Sequence, residues 1–144
     1  MVCQRLFHWF IYLKQWLIKN SGIMGKTILI AEDSATTRKF IQLAVKLMGH
    51  TIHMAEDGQQ ALEKMGQTEP DLLITDLNMP NMDGVELIKN LRSTDKYQKL
   101  PIIVLSSLSK DEDIGPAMEA GGNSYLQKPF ERSAIQEEIN KYLG

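Results

Sequence analysis

Three short runs of this chain are apolar along nearly their whole length: Ile28-Leu29-Ile30-Ala31, Leu72-Leu73-Ile74-Thr75 and Ile102-Ile103-Val104-Leu105. A strand with one wet face alternates apolar and polar residues; a strand without that alternation is covered on both faces. Such strands belong to parallel sheets lying between two layers of helices. The intervening segments have helical periodicity. Ser34 is placed to cap a helix with the stripe Phe40, Ile41, Ala44, Val45, Met48, which Gly49 stops. Ala61, Leu62 and Met65 mark a shorter helix, closed by Gly66 and Pro70. Val85, Ile88 and Leu91 mark a third after Gly84, and Ile135, Ile139 and Tyr142 a last one. Residues 110–120 read as a poor helix, because Gly115 and Pro116 fall inside them.

Two further strand candidates are mixed in character, Thr51-Ile52-His53-Met54 and Ser124-Tyr125-Leu126-Gln127, and are expected at the sheet edges. The pattern is βα repeated five times. Right-handed crossovers then give an α/β three-layer sandwich of (βα)5 type with a five-stranded parallel sheet. Apolar strands in the middle and mixed strands outside fit the flavodoxin-like order 2-1-3-4-5, whose topological switch point lies between the carboxyl ends of strands 1 and 3.

Polar groups punctuate those strand ends. Glu32-Asp33 follows the first apolar run, Asp76 the second, Ser106 the third, and Lys128-Pro129 the last strand. Alone, each has an ordinary explanation: an acidic pair suits a helix N-terminus, Ser106 a loop, Lys128 solvent, Tyr125 a half-buried edge. Together, at one edge of one sheet, they make a crevice. Three converging carboxylates repel unless a cation neutralises them, and hard oxygen donors suit magnesium (Mg2+). Asp33 and Asp76 are the expected direct ligands, with Glu32 acting through water and the Asn78 main-chain carbonyl turning inward. Lys128 adds positive charge and Ser106 a donor to a phosphoryl oxygen, so Asp76 is the expected nucleophile for a phosphoryl group.

The 144 residues suffice for one full core, and the single cysteine, Cys3, excludes an internal disulfide and makes a reducing compartment the default. The net charge of −2 gives no basis for nucleic-acid binding, but it is unevenly spread. Residues 1–24 carry Arg5, Lys14 and Lys19 and no acid, leaving 13 basic and 18 acidic residues in the remainder, a balance of −5. That first segment is densely apolar, from Leu6 through Phe7, Trp9, Phe10, Ile11, Leu13, Trp16, Leu17 to Ile18. It is short for a bilayer span and lacks a signal-peptide cleavage site. It reads either as a basic amphipathic helix that lies on a membrane or as a mis-assigned start, with Met24-Gly25-Lys26 the ordinary beginning. The domain division is therefore 1–24 and 25–144.

The stretches Ile30-Ala31-Glu32-Asp33-Ser34, Ile74 to Gly84, Val104-Leu105-Ser106-Ser107 and Tyr125-Leu126-Gln127-Lys128-Pro129-Phe130 resemble the receiver domain of two-component response regulators, over about residues 25–144. The resemblance implies that Asp76 takes a phosphoryl group from a histidine kinase phosphohistidine, that Glu32 and Asp33 hold magnesium, that Lys128 contacts the phosphoryl group and that Lys128-Pro129 is cis. It also implies that Ser106 and Tyr125 form the switch. Glu32 departs from the commoner aspartate and Ser106-Ser107 from the frequent threonine-alanine. In the family the positions occupied here by Asn78 and Leu108 tune phosphoryl lifetime, and Leu108 cannot position an attacking water.

With the chain ending at Gly144, the reading is a stand-alone, cytoplasmic receiver of chemotaxis type, a monomer or weak dimer that signals by binding. Its expected partners are a sensor histidine kinase or Hpt domain and a downstream motor, pilus or relay protein, with no nucleic acid, and a membrane only through residues 1–24. The binding face is expected around Lys110–Ala120, Tyr125 and the last helix. It is a signalling module rather than a metabolic enzyme. The rivals are a relay intermediate or non-phosphorylated adaptor and a haloacid-dehalogenase-like phosphatase. The last would want a second aspartate where Asn78 stands.

Overall fold

The computed structural model describes residues 6, 8–13, 25–107 and 111–144, with the backbone alone at 111–113. The expectations for Leu108 and Lys110, and those for residues 1–5, 7 and 14–24, lie outside the described residues. Five strands alternate with five helices: β1 Thr27–Ala31, α1 Ala35–Leu47, β2 Thr51–Ala55, α2 Gly58–Thr68, β3 Leu72–Asp76, α3 Gly84–Arg92, β4 Ile102–Ser106, α4 Asp111–Ala120, β5 Ser124–Gln127 and α5 Arg132–Leu143. A 3-10 turn, Asp95–Tyr97, precedes β4. All pairings are parallel and the order is β2-β1-β3-β4-β5, so the mixed strands are indeed the edges.

Every residue of β3 and β4 is buried. One face of the sheet, with Leu29, Leu73, Ile102 and Val104, packs on α2, α3 and α4 through Ala61, Met65, Leu87, Ile88, Leu91 and Ala117. The other face, with Ile28, Ile30, Leu72, Ile74, Ile103 and Leu105, packs on α1 and α5 through Ile41, Ala44, Val45, Ile135 and Ile139. At about 25 cal/mol per Å2 of apolar surface, burial on both faces is what makes the run of aliphatics stable as a sheet.

Ser34, Asp57 and Asp83 cap α1, α2 and α3, each accepting a hydrogen bond from the backbone N–H three residues on. Gly49, at φ 84°, follows the end of α1 as expected.

Three local expectations differ from the structure. Helix α4 forms across Gly115 and Pro116, because Ile114 and Ala117 are buried and that packing outweighs the missing N–H. Helix α2 runs through Gly66 to Thr68 and is closed by Glu69 in the left-handed region, φ 45°, ahead of Pro70. Phe40 leaves the buried stripe of α1 and stands 42% exposed. Its ring meets Phe130 edge-on, with centroids 5.9 Å apart.

Candidate functional site

The strand register creates the site. Ala31 pairs with Thr75, so Glu32 and Asp76 leave neighbouring strands at the same level. Asp76 pairs with Leu105, placing Ser106 one residue further out, and Ser106 pairs with Gln127, placing Lys128 further still. The polar groups thus form a staircase along the carboxyl edge. The long lysine stem reaches back down it, and Lys128 Nζ lies 2.7 Å from Glu32 Oε2 and 3.2 Å from Asp76 Oδ2.

The second oxygen of each carboxylate is also engaged. Glu32 Oε1 accepts from the Ser34 N–H at 3.1 Å, and Asp76 Oδ1 from the Leu77 N–H at 2.8 Å. Glu32 has no exposed surface, Asp76 is buried, and Asp33 is exposed. Oxygens of the three approach within 4.8 Å of one another. Burial pushes the Glu32 carboxyl above the usual range, with the Asp76 charge adding to it against the Lys128 hydrogen bond. Burial alone would lower the Lys128 pKa; the hydrogen bond to Glu32 and the charges of Asp76 and Glu32 outweigh it, so the ammonium is held charged.

The donor set suits a hard divalent cation. It offers three carboxylates, one of them solvent-facing, around a position whose charge is only partly offset by one lysine. Ser106 is buried at the end of β4, and the peptide after it is tied by the Lys128 N–H to the Ser106 carbonyl at 2.7 Å. The Lys128-Pro129 bond is cis. Tyr125, in edge strand β5, stands 45% exposed. Asn78 is exposed in the loop after β3.

Supporting residues escape sequence reasoning. Arg38, one turn into α1, donates through Nη1 to the carbonyls of Glu32 at 2.8 Å and Asp33 at 3.1 Å, fixing the acidic turn. Asp57 Oδ2 accepts from Asn81 Nδ2 at 2.8 Å while Oδ1 caps α2, so it ties the loop after β3 to the one after β2. These hydrogen bonds from Gln60 and Asn81 hold its carboxyl below the usual range. Gly84 is required in the same loop, since a Cβ there would lie 2.3 Å from the Asp76 carbonyl oxygen. The only available signals were the helical position of Arg38 and the turn-forming types of Asp57 and Asn81. Beside Lys128, an apolar groove of about 510 Å3 opens between α1 and the β5–α5 loop, lined by Thr36, Thr37, Phe40, Ser107, Pro129 and Phe130.

Residues 28–140 match the family model described as response regulator receiver domain. The chemotaxis protein CheY-3 of Vibrio cholerae serotype O1 is 34% identical over 115 residues, 79% of this chain and 88% of that protein. The solved structure of the chemotaxis response regulator CheY4 of Vibrio cholerae superposes with a TM-score of 0.79 at 27% identity, covering 83% of this chain and 99% of that one. The receiver domain of a sensor histidine kinase of Pseudomonas aeruginosa, solved with a magnesium ion coordinated in its active-site cleft, has a TM-score of 0.75 at 28% identity, covering 83% and 98%.

Proposed function

The chain belongs to the response regulator receiver domain family, and from that premise we propose that it is a chemotaxis-type response regulator phosphorylated on Asp76. In this reading residues 25–144 are the receiver unit and residues 1–24 a separate segment. The observation that carries the proposal is the Lys128 ammonium between Glu32 and Asp76, with Asp33 alongside, at the ends of strands that nothing but the parallel register brings together.

An Asp76 carboxylate oxygen forms the new bond to phosphorus as the bond to the donor imidazole nitrogen breaks, and the electron pair stays on that nitrogen. Lys128 screens the carboxylates before transfer and pairs with a phosphoryl oxygen after it. Ser106 donates its hydroxyl to another phosphoryl oxygen. Asp33 and Asp76 would hold a magnesium ion directly, joined by the Asn78 carbonyl. Glu32, which has no exposed surface, would act through water. When bound, the ion supplies the remaining positive charge for the phosphoryl oxygens.

The signal leaves through protein binding. Tyr125 is half-exposed here, and phosphorylation favours the state in which Tyr125 and Ser106 move inward. The face formed by α4, β5 and α5 then changes shape for a downstream partner.

The test is labelling by acetyl phosphate with magnesium. The Asp76→Asn protein is expected to take up no label, and undiminished uptake would refute the assignment.

A further inference from the structure

We infer that the N-terminal segment bearing the helix at residues 8–13 seats this chain on an anionic lipid bilayer. Residues 8–13 are helical, and Leu6, Trp9, Phe10, Ile11 and Tyr12 are all exposed, Tyr12 by 69%. His8 is exposed in the same turn, and the aromatic and aliphatic side chains occupy the successive positions 9 to 12. A contiguous exposed apolar patch of this kind marks an interaction surface. Two aromatics of the tryptophan and tyrosine type next to each other favour the headgroup depth of a bilayer.

Charge selects the partner. The first 24 residues hold Arg5, Lys14 and Lys19 and no acid, which complements an anionic membrane. No helix of the described residues is long and apolar enough to cross a membrane. The chain's own body is a poor alternative. Its comparable exposed stripe, Phe40, Leu43 and Leu47 on α1, lies on a helix that carries Arg38, Lys39 and Lys46 and no acid, so that helix does not complement the segment's charge.

The chain's entry point lies away from the acidic crevice. The chain enters the domain at Lys26, whose N–H donates to His50 Nδ1 at 2.9 Å, at the amino edge of the sheet. Glu32 and Asp76 lie at the opposite edge, a five-residue strand or roughly 17 Å away. The proposed anchoring therefore uses none of the groups that carry the phosphorylation chemistry.

Trp9 and Trp16 are the two tryptophans of the chain, so intrinsic emission reports this segment alone. Adding vesicles of phosphatidylcholine with phosphatidylglycerol to the full chain should shift emission to shorter wavelength and carry the protein into the pellet, with both effects reversed by high salt. The combined Arg5→Gln, Lys14→Gln and Lys19→Gln protein should partition on the order of a hundredfold less strongly. Trp9→Ser with Phe10→Ser should abolish pelleting while acetyl phosphate still labels Asp76. Three results would overturn the inference. One is no pelleting, or equal pelleting with phosphatidylcholine alone. Another is emission already at short wavelength without lipid, which would mean docking on the chain itself or a second copy. The third is native protein whose N-terminal peptide begins at Met24.

Discussion

Lys128 is the residue on which the electrostatics of the crevice balance. Its ammonium lies 2.7 Å from a glutamate with no exposed surface, and it also faces Asp76. Removing one member of a buried ion pair leaves the other charge desolvated and uncompensated, which costs about 3 kcal/mol or more. Lys128→Met is therefore expected to lower the metal-free unfolding free energy by about 3 kcal/mol. Adding Glu32→Gln should recover most of that loss, as followed by urea denaturation of the single and double variants. Equal losses in both would show that the pair is not the cause. The sequence revealed which residues end the strands, because a break in an apolar run is visible without coordinates. It did not reveal that the lysine stem crosses from β5 to reach the end of β1. Nor did it reveal that Arg38 holds the Glu32 and Asp33 carbonyls. Side-chain reach and direction leave no trace in periodicity.

Elements were legible where burial is two-sided and obscure where packing overrides local preference. Strands β1, β3 and β4 could be read directly because both faces are covered, and the edge positions of β2 and β5 followed from their mixed character. Helix α4 was underrated because propensity counts Gly115 and Pro116 but does not see the burial of Ile114 and Ala117. Pro116 is exposed, so Pro116→Ala should restore a backbone hydrogen bond without a clash. The expected gain is about 1–3 kcal/mol, checked by the urea midpoint. If α4 is the moving part of the output face, the same change should also weaken binding of an activated-state partner. A second element-level device joins the starts of β1 and β2 through the His50 Nδ1 acceptor. Burial lowers the His50 pKa, as does the neighbouring Lys26 charge, while Asp71 opposes them. A depressed folded-state pKa means that the contribution to stability is full above the ordinary value of about 6.5 and is lost as pH falls through the folded value. Unfolding midpoints measured between pH 7.5 and 5 should thus fall more steeply for this chain than for His50→Ala. Parallel curves would exclude the device.

At the scale of the molecule, a sheet buried on both faces can gather charge only at its ends, and the order β2-β1-β3-β4-β5 sends β1, β3, β4 and β5 to one carboxyl edge. The whole fold therefore bears the repulsion of Glu32, Asp33 and Asp76, relieved in part by Lys128. A cation that binds the folded chain and not the unfolded one stabilises it by mass action, about 2.7 kcal/mol at a hundredfold excess over Kd. Asp33 is the exposed member, and its charge opposes folding when no cation is present. Two opposite effects should follow from Asp33→Asn. In EDTA the variant should unfold at a urea concentration equal to or above that of the parent, because one repelling charge is gone. In millimolar magnesium the parent should gain stability, the variant should gain much less, and their order should reverse. A parent protein indifferent to magnesium, or a variant weaker under both conditions, would mean that the acids at this edge are held together by packing alone. The crevice would then not be a cation site, whatever its likeness to receivers that hold one.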